Sequence, residues 1–294
     1  MVCNKLFSGR SICRKATITF LSLFLWTSVH ADLVLSAPPR ESAADGLKQY
    51  GPLADQLSEI LGEKVTYQQP KGWMYYQRDM RADKYDIIFD GPHFMSWRIK
   101  QFGHIPVAKL PGKLGFVVIT KKNIKGFNNR EVNTIDDLMN VTVCSIAPPN
   151  LSSLTVLSKY EDPVSLPMMV PVKGGMNGVY KAFKSGKCKA AILRDKFYAK
   201  KVSEQERAEL KIIFKSDPVA NQGITVSTRV NEEQRTIIAA TLTEAGSGIT
   251  PTLKRFSPKS DKMLFTDKAD FDGYYELLVG VVYGWEINSK LIPK

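Results

Sequence analysis

The chain has 294 residues, 44 % of them hydrophobic and 24 % charged, and a formal net charge of +12. That balance is ordinary for a globular protein and excludes a disordered or collagen-like chain. The positive charge comes with no basic block or recognition motif, so nucleic acid is not an expected partner, whereas an anionic solute is.

The first 31 residues read as a secretory signal peptide. Lys5, Arg10, Arg14 and Lys15 make a basic leader, an apolar run covers 16–29, and Val29-His30-Ala31 offers a cleavage site before Asp32. The run of 14 residues falls short of the roughly 20 that a membrane anchor needs. Cleavage after Ala31 leaves 263 residues with 37 basic and 29 acidic side chains, a net +8, and sends them to the periplasm or outside the cell. Of the four cysteines, Cys144 and Cys188 remain. An oxidising compartment lets them pair, and their apolar, strand-like surroundings suit two buried thiols equally.

In chain order, Leu33 to Ser36 reads as a strand. Leu47, Tyr50, Leu53, Leu57, Ile60 and Leu61 then fall at helical spacing, and Gly62 stops that helix. A strand over 64–68, a helix over 75–81, a strand over 85–89 and a helix to Gln101 follow. A second series begins with a strand over 114–120 and a short helix at 134–138. Strands over 141–146, 168–172 and 190–193 continue it, with helices after Ser153 and over 179–184. Residues 211–230 read as an extended return, and 232–245 as a helix. Alternating strands and helices predict parallel sheets, hence a two-lobe α/β architecture. Lobe one is expected at 32–113 plus 220–294 and lobe two at 114–219. Hinge crossovers are expected near 114–122 and 215–225, with Phe116, Gln222 and Gly223 as hinge residues.

In open α/β sheets ligands bind beyond the carboxyl ends of the strands. Those ends, with nearby loops, collect Arg40, Ser42, Tyr75, Asp90, His93, Asn150, Ser152, Ser153, Asn177, Arg194 and Asp195 as candidate ligand contacts. Arg40 offers a planar fork for an anion. Ser42 either donates a hydroxyl or caps a helix. Arg194 and Asp195 either hold a zwitterion or pair with each other. Asp90 and His93 lack the further ligands a metal site needs, so no metal or cofactor is expected. No GxSxG, HExxH, Walker or GxGxxG motif is present, which argues against an enzyme and leaves catalysis on the same fold as a minor alternative.

Several strings, in this order and spacing, resemble the phosphate/phosphite/phosphonate-binding branch of type II periplasmic solute-binding proteins that serve ABC importers. They are YGPLADQLSEILGEKVTY at 50–67, RADKYDIIFDGPHFMSWR at 81–98, the stretch 132–146, VYKAFKSGKCKAAILRDKFY at 179–198 and KIIFKSDPVANQGITV at 211–226. The resemblance spans 32–245. It implies a non-catalytic, monomeric protein that captures a small anionic or zwitterionic ligand and presents it to a membrane ABC permease. A membrane sensor or kinase as the receiving partner is the alternative. The branch's Ser-Thr-Ser-Gly oxyanion loop is replaced here by Pro148-Pro149-Asn150-Leu151-Ser152-Ser153, and its histidine turn by Gly174-Gly175-Met176-Asn177.

Overall fold

A computed structural model describes residues 32–287; the expected signal peptide lies outside them. Strand β1 (Leu33–Ser36) leads into helix α1 (Ala43–Leu61). Ser42 caps α1 by accepting the Asp45 N–H, and Gly62 ends it at φ +66°, a left-handed turn that glycine adopts without a Cβ clash. Tyr50, Leu53 and Leu57 form its buried face. Next come β2 (Val65–Gln68), α2 (Trp73–Arg81), β3 (Ile87–Asp90), α3 (Pro92–Phe102) and β4 (Ile105–Lys109).

The chain then passes through β5 (Lys113–Leu114) into β6 (Phe116–Lys121), β7 (Thr142–Ser145), α4 (Leu151–Leu157) and β8 (Met168–Pro171). Helix α5 (Gly175–Lys184), β9 (Ala190–Arg194), α6 (Asp195–Lys201), α7 (Glu204–Ala208) and β10 (Leu210–Lys215) follow. It returns through β11 (Val219–Ala220) to β12 (Gly223–Val226), α8 (Glu232–Thr243), α9 (Thr250–Phe256), β13 (Leu264–Phe265) and α10 (Glu276–Val279).

These strands build two larger sheets. The first has the order β13-β4-β12-β3-β1-β2, and the second β10-β6-β9-β7-β8. In the first, β1 runs parallel to β2 and β3, while β12 inserts antiparallel between β3 and β4. In the second, β7 is parallel to β8 and β9, and β6 is antiparallel to β9. A two-stranded pair, β5 with β11, ties together the two segments that run between the sheets.

Each sheet is covered on both faces. Leu35, Phe89, Ile224, Leu53, Ile238 and Leu253 pack one face of the first sheet against α1, α8 and α9. On the other, Tyr76, Met80, Phe94, Trp97 and Leu278 pack around Ile88. The second sheet has one core around Val117, Cys144, Phe183 and Leu193, and another around Val118, Val143, Val156 and Ile192. Cys144 and Cys188 form a disulfide within the first of these.

Two segments differ from the sequence expectation. Residues 116–121, expected both within a strand over 114–120 and within a hinge crossover, are β6, an apolar interior strand of the second sheet. Phe116 is buried there against Leu114, Leu151 and Val219. Residues 210–215, expected as an extended return, are the edge strand β10, bonded antiparallel to β6. Among the described residues, no helix is long and apolar enough to cross a membrane, and no cluster of three or more His, Cys, Asp or Glu could hold a metal ion.

Candidate functional site

The segment after β3 meets the loop after β7. The contact is direct: His93 Nε2, at the start of α3, lies 3.0 Å from the Pro149 carbonyl oxygen, in the loop after β7. The Leu151 and Leu154 side chains of α4 extend this junction. Leu151 packs with Leu114, Phe116 and Val219, and Leu154 enters the aromatic cluster of Tyr76, Tyr85, Phe94 and Trp97.

Arg40 follows β1 and is half-buried, its guanidinium 5.4 Å from the Phe256 ring centre. Its Nη1 is buried and finds no acceptor of its own among the described residues, while the guanidinium also lies in hydrogen-bond reach of the Tyr50 hydroxyl. Its charge acts on the His93 ring and on Tyr76, which places it beside the end of β3. His93 is 4 % exposed, and burial pushes its pKa down to about 4, against the opposing pull of Asp90. The ring is therefore neutral at pH 7. A neutral imidazole facing a carbonyl carries its proton on that side, so Nε2 donates to Pro149 and Nδ1 keeps a lone pair. No described group donates to Nδ1.

From the second sheet comes Arg194, at the end of β9. Its Nε is buried without a partner, and burial lowers its pKa from the usual guanidinium range, with Asp195 opposing. At the same end of the first sheet, Gln222 precedes Gly223, the first residue of the interior strand β12, which pairs with Asp90. The Gln222 Oε1 is likewise buried and unpartnered among the described residues.

Other sequence candidates are engaged elsewhere. Asp90 is fully buried, with Arg98 Nη1 at 2.7 Å and Nη2 at 3.0 Å on its two oxygens and the Tyr76 hydroxyl at 2.5 Å. Its charge is spent inside the lobe. Ser42 is exposed and caps α1. Tyr75 is exposed on α2, with the Arg78 guanidinium 5.1 Å from its ring centre. Asn150 caps α4 by accepting the Ser152 N–H and hydroxyl, and Ser153 donates its hydroxyl to the Ile146 carbonyl. These hydroxyls bond within their own loop. Asn177 is exposed in the first turn of α5. Asp195 accepts the Lys196 N–H, and its side chain lies against Gly115, where a Cβ would come within 2.6 Å of Oδ2.

Sequence reasoning missed three participants. Arg98, eight residues beyond Asp90, neutralises it; a cation on the helix after an acidic strand end was the available signal. Phe256 and the Pro149 carbonyl reach the site from distant segments, and no local pattern announces them.

A family profile described as "ABC transporter, phosphonate, periplasmic substrate-binding protein" matches residues 35–275. The chain belongs to this family. Its members are periplasmic solute-binding proteins that work with a membrane permease, and the fold is the type II binding-protein fold. PhnD1 from Prochlorococcus marinus, solved with methylphosphonate, is 13 % identical with a TM-score of 0.59, covering 84 % of this chain and 97 % of its own. A Xanthomonas citri protein solved with ATP is 14 % identical with a TM-score of 0.63, covering 86 % and 97 %. A phosphonate-transporter binding protein from Pseudomonas aeruginosa is 15 % identical with a TM-score of 0.55, covering 84 % and 85 %. No curated protein matches the chain.

Proposed function

We propose that this chain, cleaved after Ala31 and acting as a monomer, captures a phosphonate or similar small oxyanion between its two lobes. The observation that carries the proposal is the pair of unsatisfied guanidinium donors, Arg40 Nη1 and Arg194 Nε, one from each sheet. A buried donor without an acceptor is costly, and a ligand oxygen relieves it. The neighbouring carboxylates are engaged: Asp90 by Arg98, Glu41 by Arg255, and Asp195 by the backbone of its own helix.

Donors from both lobes give the ligand a higher affinity for the closed state, which is the requirement for ligand-driven closure. The two segments paired as β5 and β11 run between the sheets, and rotation between the lobes is assigned to them in this reading. The closed, loaded form is what a permease selects, and no chemical step is involved. Thermal melting of residues 32–294 with phosphonates, phosphate, sulfonates and amino-acid-like anions tests this. Ligands that bind the native state raise Tm, by about 2.7 kcal/mol of stability at a hundredfold excess over Kd. A shift with neutral sugars and none with any anion would contradict it.

A further inference from the structure

The His93 ring joins the two lobes and still has one unused acceptor, the buried Nδ1. Its Nε2–H is committed to the Pro149 carbonyl at 3.0 Å. That bond fixes the tautomer, so Nδ1 can only accept a hydrogen bond. Nδ1 is sealed from solvent and receives nothing from any described residue. The ring edge packs close against Gly91, where a Cβ would lie 3.0 Å from Nδ1 and 2.8 Å from Cε1, so only glycine lets the ring take this position.

The charged groups acting on His93 are Arg40 after β1, Asp90 at the end of β3 and Arg98 on α3. Asp90 and Arg98 are locked to each other, and Tyr76 donates to Asp90. The facing segment of the second lobe, 147–157, carries no charged residue. Next to the cation Arg40 there is thus a neutral acceptor rather than a second donor.

Given the anion-binding reading above, on which this rests, we propose that His93 sets specificity for an anion that carries a hydrogen to donate. The ligand class is the singly protonated oxyanion, such as the monoanion of a phosphonate. Arg40 meets its charge, and Nδ1 accepts its P–O–H proton. A monoanion of the same shape without a hydrogen, such as a sulfonate, leaves Nδ1 unpaired and sets two lone pairs against each other. Sites built to bond a ligand hydrogen reject the analogue lacking it, because the buried partner stays unsatisfied.

Calorimetric titration of residues 32–294 with methylphosphonate and methanesulfonate, from pH 5.5 to 9, tests the proposal. Methylphosphonate should bind roughly 10–100-fold tighter than methanesulfonate at pH 6. Its affinity should fall as pH rises through the second ionisation of the phosphonate, which depletes the monoanion. His93→Gln, whose amide can turn its N–H inward, should bring the two ligands within a few-fold of each other. Equal affinities in the unaltered protein would overturn the proposal and leave the anion reading standing. So would tightening of methylphosphonate binding above pH 8, or an equal loss for both ligands in His93→Gln. Binding of neither ligand would overturn the anion reading and the role of His93 with it.

Discussion

Replacing Cys144 by alanine should cost nearly as much stability as replacing both disulfide cysteines. The bridge closes a loop spanning 44 positions, and the chain-entropy relation values such a cross-link at about 4 kcal/mol. Cys144 is fully buried and Cys188 is 4 % exposed, so each lost sulfur adds on the order of 1 kcal/mol of packing. Either single variant should therefore lose about 5 kcal/mol and the double variant about 6. Two separate buried thiols would behave differently. Each single change would cost about 1 kcal/mol, and the two would add. Urea unfolding at 25 °C, followed by circular dichroism with the slope checked for constancy, reads these differences as midpoint shifts. Small, additive losses would refute the cross-link and the oxidising compartment it implies.

Three further outcomes follow from the geometry. Arg98→Met should destabilise by about 3–5 kcal/mol, because it strands a buried Asp90 charge, and Asp90→Leu in the same chain should restore much of that in urea unfolding. Acidification should also destabilise. The folded His93 pKa, about 4, lies below the unfolded value near 6.5, so its contribution is intact above about pH 6.5 and is lost on falling to about pH 4, some 3 kcal/mol in all. His104, also held down mainly by burial, adds to that loss, and a Tm–pH profile that steepens below pH 6.5, and less so in His93→Phe, checks it. Arg40→Ala should weaken binding of an anionic ligand by about 1.5–3 kcal/mol, measured by calorimetry; unchanged affinity would leave binding to Arg194 and the second lobe.

The apolar strands were legible because the sheets are covered on both faces, so runs such as Ile87–Asp90 and Phe116–Lys121 are hydrophobic almost throughout. The strand over 114–120 was legible too, but assigning a hinge crossover to the same residues put the hinge inside what is an interior strand of the second sheet. Edge strand β10 was missed because one side faces solvent, and its mixed pattern reads as loop. In the candidate site, the strand-end rule pointed to Arg40, His93 and Arg194, each of which has a buried polar atom without a partner among the described residues. It could not sort the hydroxyls, because a serine that caps a helix and one that holds an anion occupy the same kind of loop; Ser42, Ser152 and Ser153 are all engaged locally. Nor could spacing decide the cysteines. Their meeting depends on β7 lying beside β9, a neighbour relation that only the folded sheet supplies.

The most direct measurement is mass spectrometry of the small molecules released when protein purified from its own periplasm is denatured. The account predicts one small phosphorus-containing anion per chain, released from the native fold only on unfolding. A neutral sugar or a cationic amine recovered in that amount would contradict it.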